Sequence, residues 1–158
     1  MNVKKRRRDV LVSIQPTYAS KIIDGAKSVE LRRRFPEIAD SDTRLLIYST
    51  SPIQAIIGYG IIDSVQRMSV SQLWRCYAGA ACIERSSFNR YFDGLEDGYA
   101  ILLSEVRRFK NSISVERLRK RFGFVPPQSF RYIPPEYRAL FRDDRVQVTY
   151  RHEHIYRA

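Results

Sequence analysis

The chain has 158 residues, which suits one domain and is long enough to bury about two-thirds of its unfolded surface. Its 44% hydrophobic and 12% aromatic content is that of a globular protein, and no apolar run nears the roughly 20 residues that span a bilayer, which excludes a helical membrane protein. Lys and Arg number 28 against 17 Asp and Glu, and the resulting +11 points to an anionic partner, since each neutralised phosphate releases condensed counterions.

Taken in order, residues 1–8 hold the run Lys4-Lys5-Arg6-Arg7-Arg8, which has no periodicity and reads either as a solubilising tail or as an arm that attracts anions. Val10-Leu11-Val12-Ser13-Ile14 is too short for the apolar core of a secretory signal, so it reads as a strand and the product as cytoplasmic. Pro16 suits the first position of a helix and Gly25 the left-handed position that stops one, with Tyr18, Ala19, Ile22 and Ile23 as its apolar face. From Ser28 the pattern alternates: Val29 and Leu31 face one way, while Glu30, Arg32 and Arg34 face the other. Arg32-Arg33-Arg34 is expected to prolong this strand, and Lys27, at the turn before it, to reach over the charged face.

Arg44 to Thr50 and the β-branched stretch up to Val65 read as strands. Gly58 and Gly60 lack the third glycine and helix of a dinucleotide fingerprint, so they mark bends that curl a barrel. Ser69 caps a helix with Val70, Leu73, Trp74 and Tyr77 inward, and a second helix follows from Glu84 to Phe92, its aromatics read as core. Cys76 and Cys82 have no zinc or disulfide spacing and are expected to be small buried hydrophobes. Gly98 to Arg107 returns to strand. A helix from Ser114 to Phe122 turns Val115, Leu118 and Phe122 inward and displays Arg117, Arg119, Lys120 and Arg121 on its other side. Pro126-Pro127 forces the next stretch to run extended, which presents Gln128 and Ser129; Pro134-Pro135 opens a last short helix, and Val146 to Tyr156 forms an added strand. His152 and His154 have no further ligands beside them, so neither metal nor cofactor is expected. The fold class is α+β: a small mixed β-barrel, expected near residues 10 to 107, with peripheral helices.

Gly25, Lys27, Glu30 and Arg32 form a Gly-x-Lys-x-x-Glu-x-Arg pattern that resembles the signature of the ASCH domain, a member of the PUA-like superfamily of small β-barrels. The likeness continues through Leu11 to Pro16, Leu46 to Pro52, Gly98 to Leu103 and Phe124 to Phe130. It covers residues 9–141, which leaves 1–8 as a basic start and 142–158 as a C-terminal extension. The resemblance implies a PUA-like barrel that binds RNA, ahead of DNA, or a modified nucleobase in a cleft beside it. Lys27, Glu30, Arg32, Tyr48, Ser49, Tyr99, Gln128 and Ser129 would then meet the ligand. Lys4 to Arg8, Arg33, Arg34, Arg117 and Lys120 would meet its phosphates.

Two alternatives stay open. Some small ASCH proteins are amidohydrolases of N4-acylated cytidine, with a lysine matching Lys27 and a threonine three positions later; Glu30 stands there instead, so a carboxylate base is present and the hydroxyl nucleophile is missing. The other alternative is an interaction module in which Lys27, Glu30 and Arg32 form only a surface ion cluster closing the helix-to-strand turn.

Overall fold

Seven short or bent strands and four helices arise from the punctuation just described, and the computed structural model describes residues 9–36, 43–140 and 146–152. The strands are β1 (Asp9–Ile14), β2 (Val29–Arg32), β3 (Arg44–Ser49), β4 (Ala55–Ser69), β5 (Asp97–Ser114), β6 (Phe130–Ile133) and β7 (Val146–Arg151). The helices are α1 (Pro16–Ile23), α2 (Val70–Tyr77), α3 (Arg85–Tyr91) and α4 (Val115–Phe122), and a 3-10 turn covers Pro135–Leu140. The basic run Lys4 to Arg8, residues 37–42 and His154 lie outside the described residues. None of the described helices is long and apolar enough to cross a membrane.

The strands form one mixed sheet in the order β2-β5-β4-β3-β1-β6, with β1 and β3 parallel and their neighbours antiparallel. β5 runs past Arg107 to Ser114, so the same edge of one strand pairs first with β2 and then with β7. The sheet therefore takes in more of the chain than residues 10 to 107. Among the described residues it curls without closing: β2 and β6 remain edges, and no backbone ladder joins them.

Three apolar clusters follow from this curl. Inside it, Val10, Val12, Leu45, Ile47, Ile101 and Leu103 meet Ala19, Ile22 and Ile23 of α1, the face expected of that helix. On the outer surface, Leu11, Leu46, Tyr48 and Tyr59 pack with Leu118 of α4, Phe124 and Tyr137. Elsewhere outside, Val29, Leu31, Ala100 and Leu102 lie under α2 and α3, where Leu73, Phe88 and Phe92 are buried. The aromatic stripe is thus core. Ser69 caps α2 as expected, here as a capping box with Gln72, and Gly25 and Gly123 take the left-handed positions that end their helices.

Three expectations need correction. Cys76 is exposed and Cys82 half-buried, because Cys76 falls on the outward side of α2, where only Leu73 is fully buried. The signature strand stops at Arg32, leaving Arg33 and Arg34 exposed in a bend. All four β2 residues are buried, so its charged face looks into the curl and not into solvent.

Gly58 has the role of close approach. A Cβ there would stand 2.2 Å from the Arg107 carbonyl oxygen, a backbone atom that cannot step aside, and 2.8 Å from Ile23 of α1. Gly58→Ala should destabilise the fold by at least the ~1–3 kcal/mol typical of overpacking, while Gly79→Ala, where a Cβ meets nothing within 4 Å, should be near neutral. Equilibrium urea unfolding of both variants measures the difference.

Candidate functional site

The signature begins with a helix stop and ends in a buried ion cluster. After Gly25 the chain turns into β2, and the loop after α2 docks on that turn. Ser28 and Val29 donate their N–H groups to the Ala80 carbonyl at 3.0 and 3.3 Å, and the Cys82 thiol donates to the Ala26 carbonyl at 3.2 Å. Lys27 Nζ donates to the Ala81 carbonyl at 2.6 Å and lies 5.3 Å from the centre of the Tyr18 ring. Cys82 follows with φ of 53°, a left-handed conformation unusual for a side-chain-bearing residue.

Glu30 and Arg32, two apart on one strand, share the inward face. One Glu30 oxygen lies 3.3 Å from Lys27 Nζ and the other 3.4 Å from Arg32 Nη1. Lys27, Glu30 and Arg32 are 3%, 5% and 7% exposed. Charges this deep are desolvated, and only their mutual pairing makes that tolerable. The cluster thus sits inside the curl, and neither an open cleft nor a surface ion pair describes it.

Arg32 reaches further. Its Nη1 donates to the Ser13 carbonyl at 3.2 Å, and its Nη2 donates to both the carbonyl and the hydroxyl of Ser129 at 3.1 Å. Ser13 in turn donates its N–H to the Ser129 carbonyl at 3.2 Å and its hydroxyl to the Pro127 carbonyl at 2.6 Å. One guanidinium therefore spans the seam that the backbone leaves open, tying edge strand β2 to β1 and to the segment entering β6. Arg32 Nε is buried without a hydrogen-bond partner among the described residues.

The remaining expected ligand residues divide. Ser13 and Tyr48 are register partners on the parallel β1–β3 pair, so Ser129 and Tyr48 flank one strand position. Tyr48 itself is 3% exposed, its ring 6.1 Å from that of Phe124, so it packs in the outer core. Burial pushes its phenol above the usual tyrosine range, and the nearby Arg119 guanidinium opposes that shift. Ser49 is buried and Tyr99 packs against the interior cluster beneath Arg67, whose guanidinium is 5.9 Å from its ring. Gln128 is exposed beside Ser129.

Sequence reasoning missed Ser13, Tyr91 and the placement of Arg119. Ser13 contributes backbone groups, which carry no sequence signal. The Tyr91 hydroxyl accepts from the Arg33 N–H at 3.2 Å; burial raises its pKa, Arg32 and Arg33 pull it down, and Glu30 adds to the rise. Arg119 is exposed with the rest of the outward side of α4, but at its edge: with Val115, Leu118 and Phe122 it repeats at three and four residues. That spacing was readable.

No protein-family model matches the chain. It is 33% identical over 131 residues to a protein of Zymomonas mobilis named ASCH domain-containing ribonuclease, covering 82% of this chain and 87% of that one. A crystal structure of ASCH from the same organism superposes with a TM-score of 0.80 at 30% identity, over 85% of this chain and 94% of that one. Versions of it with one serine replaced by alanine and one tyrosine replaced by phenylalanine superpose equally well, at TM-scores of 0.79 and 0.80. The N-terminal domain of Staphylothermus marinus McrB has a similar fold, with a TM-score of 0.54 at 13% identity over 84% of this chain and 92% of that one.

Removing one charge from the buried cluster tests its geometry. Glu30→Gln leaves Lys27 and Arg32 without a countercharge and should cost about 3–5 kcal/mol, against ~0–1 kcal/mol for an exposed pair. Urea unfolding of the variant separates the two magnitudes.

Proposed function

The chain belongs to the ASCH domain family, and we propose that it acts on RNA, binding a single strand at the end of the barrel where Ser129 and Tyr48 flank one position of β1 and Arg119 acts electrostatically on the tyrosine, and cleaving it there. The observation that carries this reading is the likeness, across more than four-fifths of both chains, to a protein named as a ribonuclease. The serine and the tyrosine replaced in the crystallised versions of that relative carry chain positions one lower than Ser129 and Tyr48 here. A net charge of +11 suits a polyanion, and Arg33, Arg34 and the run Lys4 to Arg8 would add sequence-independent attraction. A cytoplasmic setting goes with this reading.

The chemistry available to RNA is attack of the 2′-hydroxyl on the adjacent phosphorus. The 2′-oxygen passes its proton to solvent water and forms the O2′–P bond, the P–O5′ bond breaks, and the departing 5′-oxygen takes a proton, giving a 2′,3′-cyclic phosphate and a 5′-hydroxyl. A tyrosine whose pKa is raised remains a proton donor at neutral pH, which fits it to the leaving oxygen. The cation of Arg119 suits the charge that grows on the phosphoryl oxygens, and Ser129, held by Arg32, offers a fixed hydroxyl.

The amidohydrolase reading has no such support. Lys27 and Glu30, the groups it would use, are engaged with each other and with the Ala81 carbonyl inside the barrel. A Glu30 so placed is likewise not presented to the edge of a base, which favours recognition of the strand over recognition of a single modified nucleoside.

End-labelled single-stranded RNA and DNA of one sequence, incubated with the protein and resolved on gels, test the proposal. RNA alone should be cut, with cyclic phosphate ends. Tyr48→Phe and Ser129→Ala should each lower the rate by about 10²-fold or more, the range for loss of a positioned proton donor, while their melting curves stay close to the parent's. Uncut RNA, equal cutting of DNA, or full activity in both variants would refute it.

A further inference from the structure

The outward side of α4 is the most strongly charged helical surface among the described residues, and cleavage at Tyr48 does not require it. Arg117, Lys120 and Arg121, spaced at three and four residues, form one exposed stripe. With Ser114 and Glu116 they line an open recess of about 480 Å³. One carboxylate faces three cations there. Leu118 of the same helix shares a cluster with Tyr48, and Phe124, two residues beyond the helix, places its ring 6.1 Å from that of Tyr48. Arg119, on the same helix, acts electrostatically on that tyrosine.

We propose that α4 is an extended binding track for the backbone of the same RNA strand: the strand leaves the Tyr48–Ser129 end, passes Arg119 and lays its following phosphates along Arg117, Lys120 and Arg121. This rests on the reading of the chain as an RNA-cleaving protein and adds to it a direction and a preferred substrate length. Arg117 to Arg121 rises about 6 Å along the helix, roughly one spacing between successive phosphates. That distance accommodates two further phosphates of a single strand. The stripe offers point charges and forks for phosphate but no aromatic face, so its grip on the strand is indifferent to sequence. Glu116 opposes the track.

The test compares two substrates, a 3-nucleotide and a 12-nucleotide RNA, on the parent chain, on Arg117→Gln/Lys120→Gln/Arg121→Gln and on Glu116→Gln, by fluorescence titration across a salt series and by cleavage rate. In the triple variant the 12-mer should bind at least about tenfold more weakly, its log affinity against log salt should flatten by about 1.4 because two phosphates are no longer neutralised, and the 3-mer should be affected far less. Glu116→Gln should tighten the 12-mer. An unchanged affinity and slope for the 12-mer, an equal loss for both lengths, or weaker 12-mer binding by Glu116→Gln would overturn the track while leaving cleavage at Tyr48 standing. If the parent cuts neither RNA, it is the reading of the activity that fails. An acidic peptide that displaces the 3-mer as readily as the 12-mer would also count against an RNA track.

Discussion

One guanidinium holds together what the backbone leaves apart. The sheet curls far enough for β2 to approach β1 and the entry to β6, yet among the described residues no ladder of hydrogen bonds joins them. Arg32 crosses that gap with three hydrogen bonds, to Ser13 and twice to Ser129. Burying its charge there is tolerable only because Glu30 lies 3.4 Å away, and Glu30 is balanced in turn by Lys27. Lys27 finishes the chain of dependence on the Ala81 carbonyl, in the loop that seats α2 and α3 on the outer face. The signature is thus a structural spine running from the helical insertion to Ser129, and it acts on any site at Ser129 by positioning it.

Such an arrangement explains why most of the fold was legible and the character of the site was not. Pro16 and Gly25, the Ser69 cap and the Gly123 stop each act within a few residues, and each took its expected place. The alternation of β2 correctly set Glu30 and Arg32 on a common face. It could not say that this face looks inward, because alternation distinguishes two faces without naming the wet one, and in β2 both are dry. Tyr48 and Cys76 were illegible for related reasons: a tyrosine in an apolar strand fits core and ligand site alike, and a lone cysteine in a short helix follows the helix's angle, not its own hydrophobicity. Ser13 contributes through its carbonyl and N–H, which any residue has.

Function divides along the same line. The buried cluster supplies rigidity, and under the proposed function the substrate would be met just outside it, at Ser129, Tyr48 and the flank of α4. A rigid frame with reactive groups at its rim is a common solution, since a side chain fixed by packing needs no reorganisation when charge develops. The Zymomonas mobilis protein that this chain matches over 87% of its length is named as a ribonuclease, whereas the McrB domain shares the fold alone.

The central claim is that Arg32 closes the barrel, and amide hydrogen exchange tests it most directly. In Arg32→Met the Ser13 N–H, which donates to Ser129 across the loosened seam, should exchange at least about tenfold faster than in the parent, while amides of the β4–β5 ladder keep their protection. Unchanged protection at Ser13, or a uniform loss across the whole sheet, would contradict it.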